Sequence, residues 1–262
     1  MSESRQTVEV VSEGGVLRII LSRREARNAL SFEMLDELER SLDRAVGDRG
    51  ARVLLLESSG DVFCAGMDLR AVALEESAVA ERFSSALARI YRRLITLEIP
   101  LLCAVDGPVI GGGLGLVAAA DLVWAGPGAK FQLSEARLGL VPALVSVVLA
   151  RRLRPKRILG LALSALPLDA RGALELGIAD RLSHESAAGD ARAEAARMIR
   201  DNSPKAMRAT KRLLNEMIST TLEHDLEEAR RAFAEAVRSA DAKRGLESFR
   251  RKETPNWTEA HD

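Results

Sequence analysis

Three consecutive glycines, Gly111-Gly112-Gly113, follow the apolar run Leu101–Val105 and open a stretch of small residues that ends at Ala120. A strand that turns into a helix at such a point leaves backbone N–H groups without intrahelical partners, and the helix dipole adds positive potential there. That combination suits a phosphate, a carboxylate or a developing oxyanion. A tight turn with close helix packing accounts for the same glycines without any ligand. A dinucleotide fingerprint is a third reading: Gly113-Leu114-Gly115-Leu116-Val117-Ala118 fits G-x-G-x-x-A, and Glu135 lies about 20 residues on. Against it, the helix is short, Asp121 closely precedes the next strand, and no second βαβ half follows.

A second segment of the same character separates these readings. Phe63-Cys64-Ala65-Gly66-Met67-Asp68-Leu69 follows a strand through a turn, placing a small-residue backbone at a strand's carboxyl end, where ligands of α/β folds bind. Two loops can then each direct one N–H at a single oxygen, the minimum for an oxyanion hole. Glu135 sits among Phe131, Leu133, Leu138, Leu140 and Val141. A carboxylate in apolar surroundings needs a partner or a purpose, although a lone glutamate is more often a solvated or paired charge.

The elements that must hold these residues alternate between strand and helix. Thr7–Val11 and Val16–Leu21 read as a hairpin about Glu13-Gly14-Gly15. Ser31 caps a helix whose apolar face is Met34, Leu35, Leu38, Leu42 and Val46. Val53–Leu56 is a buried strand, Ala80–Leu97 a long helix stopped by Pro100, and Leu122–Ala125 a further strand. Asp169 and Gly177 bracket a short helix, and Ser203-Pro204 opens a charged, alanine-rich helical segment that runs to Arg250 with a break near Ser219. The division expected is an α/β core over residues 1–200 and a C-terminal helical oligomerisation region over 201–262.

The chain has 262 residues, 47% apolar and 29% charged, with 38 basic residues cancelling 38 acidic ones. That balance gives no strong field toward nucleic acid or an anionic membrane. The apolar run Leu114–Ala120 is far short of a membrane span, and MSESRQTVEV lacks the pattern of a signal peptide. Cys64 and Cys103 stand apart without CxxC or His-Cys neighbours, as expected of reduced thiols in a cytoplasmic protein.

Arg27-Asn28-Ala29-Leu30, the Phe63–Leu69 segment, Ala104-Val105-Asp106-Gly107 and Gly111-Gly112-Gly113 through Asp121 resemble the enoyl-CoA hydratase/isomerase (crotonase) superfamily, in that order. Phe131-Gln132-Leu133-Ser134-Glu135, Leu138-Gly139-Leu140-Val141-Pro142, Gly177-Ile178-Ala179-Asp180 and Gly245-Leu246-Glu247-Ser248-Phe249 continue the likeness over nearly the whole chain. The resemblance implies a spiral of ββα turns with a C-terminal helical trimerisation region, assembled as a homotrimer or dimer of trimers. It implies oxyanion donors at the N–H groups of Met67 and Gly112, and an acid/base at Glu135. It places a coenzyme A nucleotide near Arg27, Ala65, Asp68 and Leu69, with Phe249 and Lys252 reaching a neighbouring subunit's CoA. No cofactor is implied beyond the CoA thioester as substrate.

This chain departs from the two-glutamate pattern of such hydratases. The first glutamate position is Gly115, and only Glu135 remains. One glutamate can activate water and return its proton to Cα. The space beside Gly115 is then expected to hold an acyl branch or a water. Ala143, eight residues after Glu135, replaces the aspartate of dienoyl isomerases and aromatic dehalogenases, so neither activity is expected. His184, His224 and His261 lie outside the matching segments, and no metal site is indicated. Pro142-Ala143-Leu144-Val145-Ser146 resembles the branched methylglutaconyl-CoA hydratases and polyketide β-branching dehydratases, leaving CoA or an acyl-carrier protein as thioester carrier. The activity expected is hydration and dehydration of an acyl thioester. Δ3-Δ2 enoyl isomerisation or decarboxylation at the same site, a non-catalytic CoA-binding scaffold and NAD-dependent oxidoreduction are the alternatives.

Overall fold

A computed structural model describes residues 6–48, 50–70, 72, 77–218 and 222–253. The hairpin forms as expected, from β1 (Val8–Glu13) and β2 (Val16–Leu21). The helix α1 (Phe32–Gly47) starts where Ser31 Oγ accepts a hydrogen bond from the Met34 N–H at 3.3 Å. Met34, Leu35, Leu38 and Leu42 are buried, but Val46, expected on the same face, is 70% exposed. It falls in the last turn, beyond the edge of the surface the helix covers.

Then come β3 (Val53–Ser58), α2 (Ser77–Thr96), β4 (Leu101–Val105), β5 (Pro108–Ile110), α3 (Gly112–Ala118), β6 (Leu122–Ala125) and β7 (Lys130–Gln132). The remainder is α4 (Ala143–Leu149), α5 (Pro155–Ser164), β8 (Leu168–Asp169), α6 (Ala170–Leu176), β9 (Arg181–Leu182), α7 (Ala187–Asp201), α8 (Pro204–Ile218), α9 (Leu222–Arg238) and α10 (Ala240–Arg251). The predicted break near Ser219 lies outside the described residues.

One sheet runs β1-β2-β3-β4-β6-β9, antiparallel at the first pair and parallel from β2 onward. A second sheet, β5-β7-β8, lies beyond the point where the chain leaves β4. The central strands are apolar on both faces because both are covered, as parallel strands require. Alternate residues Val53, Leu55, Leu102 and Ala104 meet Ala187, Ala191 and Ala195 of α7. Leu54, Leu56, Leu101 and Cys103 face the main core with α1 to α4. Asp106 holds α7 in place by accepting from the Ala187 and Ala188 N–H groups at 2.6 and 3.1 Å.

The C-terminal helices close on their own chain. α9 packs against α2 and α4, burying Leu226, Ala229 and Val237, and α10 packs against the turn after β7. These contacts all lie within the subunit. Among the described residues no helix is long and apolar enough to cross a membrane.

Candidate active site

The loop after β3 is held from two sides. Asn28, in a left-handed conformation at φ 53° and fully buried, donates from Nδ2 to the carbonyls of Ser59 and Val62 at 3.0 and 2.8 Å. The Leu30 N–H donates to the Gly66 carbonyl at 2.7 Å, and the Asp68 N–H to the Leu30 carbonyl at 2.9 Å. On the other side the Cys64 N–H reaches the Pro108 carbonyl at 3.2 Å, and the Ile110 N–H reaches the Cys64 carbonyl at 2.9 Å. Gly66 takes φ 86°, and a side chain there would press on the Ile110 carbonyl at 3.1 Å. Met67 is thus fixed next to β5, with an N–H that has no acceptor among the described residues.

The second loop arrives from β5. The Gly111 N–H donates to the Gln132 carbonyl at 2.9 Å, tying it to β7, while φ 52° and ψ −124° turn the chain into α3. The Gly112 N–H begins α3 and has no intrahelical acceptor. The following glycines serve packing. A Cβ on Gly113 would lie 2.6 Å from Cβ of Cys64, and one on Gly115 would overlap Cζ and Oη of Tyr91. Both glycines face neighbours inside the core, so neither lies open to a pyrophosphate, and the dinucleotide reading fails on geometry. The expectation of free space beside Gly115 is corrected too: the Tyr91 ring fills it.

Glu135 begins a 3-10 turn, Glu135–Leu138, that follows β7. α10 braces this turn so closely that a side chain on Gly245 would strike the Leu138 carbonyl, and one on Gly139 the Asp241 carbonyl. Glu135 Oε1 stands 3.1 Å from the point where a Gly111 side chain would begin. Its Oε2 is sealed from solvent without a hydrogen-bond partner among the described residues, although the residue as a whole is half-buried. Loss of solvation pushes the carboxyl up from 4.5 to about 7, while the backbone amides of Glu135 and Ser134 pull it back down.

Both loops and Glu135 open into one cavity of about 730 Å3. Its deep wall is apolar, formed by Phe83, Leu87, Leu140, Leu144 and Val145, and Arg27 and Arg137 also line it. The expected residues Ala65, Met67, Leu69 and Gly112 line it as well, and Phe249, expected to reach a neighbouring subunit's CoA, lines the cavity of its own subunit. Asp68 and Lys252 do not. Asp68 is engaged by Arg23 at 2.6 Å and by the Arg70 N–H at 3.1 Å, so it stiffens the loop from behind. Lys252 caps the exposed end of α10 at φ 60°. Tyr91, Gln132 and the exposed Glu253 also reach the cavity without having been singled out from sequence. Tyr91 follows Phe83 and Leu87 at helical spacing, which reads as core.

The geometry pairs two unsatisfied N–H groups from separate loops with a desolvated carboxylate in an apolar pocket. Such a site stabilises negative charge on a carbonyl oxygen and moves a proton beside it. Comparison with known proteins agrees in kind. The profile of a family described as enoyl-CoA hydratase/isomerase matches residues 12–260. A carnitinyl-CoA dehydratase from Proteus mirabilis is 31% identical over 258 residues, covering 96% of this chain and 98% of its own. A 1,2-epoxyphenylacetyl-CoA isomerase from Escherichia coli is 32% identical over 251 residues, with 94% and 96% covered. The crystal structure of an enoyl-CoA hydratase from Mycobacterium avium superposes with a TM-score of 0.87 at 30% identity, covering 96% of this chain and 99% of that one.

Proposed function

Because the chain belongs to the enoyl-CoA hydratase/isomerase family and has its crotonase fold, we propose that its cavity hydrates the α,β bond of an acyl-CoA through a thioester enolate. Hydratase/isomerase enzymes of this family act on CoA thioesters, and the chain is one of them. The assignment of roles is ours. The thioester oxygen lies between the Met67 and Gly112 N–H groups. The water oxygen bonds to Cβ as one of its protons passes to Glu135, and the π pair moves to Cα to form the enolate. Glu135 then returns that proton to Cα, the enolate collapses to the thioester, and the carboxylate is regenerated.

The observation that carries this reading is Glu135 Oε2, sealed and without a partner among the described residues, on a carboxyl whose burial raises it toward about 7. A group with its pKa close to the working pH can both accept and return a proton, as a one-base hydration requires. Incubation with crotonyl-CoA tests it: the product should gain the mass of one water in the wild type, and Glu135→Gln should lose that reaction.

The reading extends outward from the reacting atoms. Arg27, Ala65, Leu69 and Phe249 support a CoA nucleotide at the cavity mouth, Arg27 through its charge. Exposed Leu213 and Leu214 on α8 and Leu163 on α5 are apolar surface that further copies of the chain would cover, in the trimer or dimer of trimers proposed for residues 201–262 and their neighbours. No cofactor enters the scheme, and the proposed setting is cytoplasmic. Isomerisation is the second reading, favoured because Glu135 is the one carboxylate in the cavity's interior among the described residues and can shuttle one proton between two carbons without water.

A further inference from the structure

Tyr91 projects from α2, is fully buried, and stands among the residues around the catalytic cavity. Its ring and hydroxyl occupy the place where a side chain at position 115 would begin. Oη also stands 3.5 Å from the point where a Gly112 side chain would start, beside Leu30 and Leu87, both of which line the cavity. Its one proton is committed: Oη donates to the Gly112 carbonyl at 2.5 Å. A hydroxyl that has spent its donor on a carbonyl keeps lone pairs for accepting. Burial, aided by Cys64 and Glu135, holds the phenol well above its ordinary pKa of 10.0, so it stays neutral and is no base. Glu135 Oε1 overhangs Gly111, and Tyr91 Oη overhangs Gly112, its next neighbour.

We infer that Tyr91 is the second water-holding group of the active site, accepting one O–H of the attacking water while Glu135 accepts the other. The inference rests on the hydration reading above. It gives Glu135 and Tyr91 separate tasks. Glu135 takes the water's proton as the new C–O bond forms at Cβ and later delivers it to Cα. Tyr91 Oη keeps its own proton throughout and gains none; it aims the water's lone pair at Cβ. A reaction that uses the oxyanion hole and Glu135 but no attacking water does not need Oη.

Tyr91→Phe keeps the ring that fills the space beside Gly115 and removes only Oη. Two rates distinguish its roles: hydration of crotonyl-CoA, and exchange of the α-protons of butyryl-CoA into D2O, which needs Glu135 and the two N–H groups but no addition of water. Tyr91→Phe should lower hydration by about tenfold or more, the loss expected of one hydrogen bond in the transition state, and change exchange by less than about twofold. Glu135→Gln should remove both. Unchanged hydration in folded Tyr91→Phe overturns the inference. An equal fall in both rates also overturns it, since Oη would then act only by positioning the Gly112 peptide. A wild type that hydrates no enoyl-CoA, or a Glu135→Gln variant that still does, sinks the underlying reading instead. If Tyr91→Phe does not fold, 3,5-difluorotyrosine at position 91 retains ring and hydroxyl while weakening the acceptor. It must slow hydration and leave exchange unchanged for the inference to stand.

Discussion

Replacing Glu135 by glutamine should stabilise the protein at alkaline pH while removing its activity. Folding takes the carboxyl from 4.5 to about 7 by desolvation, so the folded state binds this proton more tightly than the unfolded state. Between those two values the folded protein carries more protons, and stability must fall as pH rises. Each pKa unit is worth about 1.4 kcal/mol, so ionising Glu135 costs about 1 kcal/mol at pH 5 and about 3 kcal/mol at pH 8. Glutamine has nearly the same shape and carries no charge, so it escapes this cost. Thermal melts of both proteins at pH 5 and pH 8, at one protein concentration, measure the difference directly. The variant's advantage should grow by several degrees between the two pH values, given roughly 2 °C or more per kcal/mol for a chain of this length. Turnover should fall by at least about a hundredfold, the scale of a lost acid/base. An equal melting difference at both pH values would refute the desolvated carboxyl and, with it, the base poised near neutrality.

The other expectations follow from the same packing. Wild-type kcat/KM for hydration should decline as pH drops through about 7, because only ionised Glu135 can take the water's proton; a profile flat from pH 6 to 8 contradicts this. Gly115→Glu, which would seem to restore a second carboxylate, should instead destabilise the fold by about 1–3 kcal/mol or more through overlap with Tyr91. Tyr91→Ala combined with Gly115→Glu should recover much of that loss in urea melts. Truncation before Thr221 removes the cover from α2 and α4, and light scattering should report aggregates rather than a folded core. Phe249→Ala should raise KM for an acyl-CoA by a few fold and leave kcat nearly intact, since Phe249 lines the cavity yet is half exposed, away from the buried Glu135 carboxyl.

Much of the framework was legible because it rests on local rules. The Gly14-Gly15 hairpin, the Ser31 and Asp169 caps, the stop at Gly177 and the strand-to-helix turn at Gly111 are each set by residues next to one another. The two loops and Glu135 could be placed around one cavity because strand ends in α/β folds converge. What escaped depends on distant partners. Tyr91 looked like one more apolar residue of a long helix, and only the meeting of α2 with α3 shows that it takes the space Gly115 leaves. Asp68 was read together with the segment around it; its pairing with Arg23, 45 positions away, could not be read from that segment. The packing of α9 on α2 and α4 was not legible either, because periodicity reports an apolar face without saying which surface covers it.

The brace that α10 places on the Glu135 turn has a consequence for the order in which the site comes into being. During synthesis the chain emerges from its N-terminal end, so both glycine-containing loops and Glu135 leave the ribosome more than a hundred residues before Gly245 and Phe249. Until those arrive, the Leu138 and Gly139 backbones have no α10 to pack against, and the cavity stands open along that side. Water then reaches the carboxyl, and its affinity for a proton returns toward that of an ordinary glutamate. A nascent chain therefore holds the two proposed N–H donors before the carboxyl proposed as its base is tuned toward neutral pH.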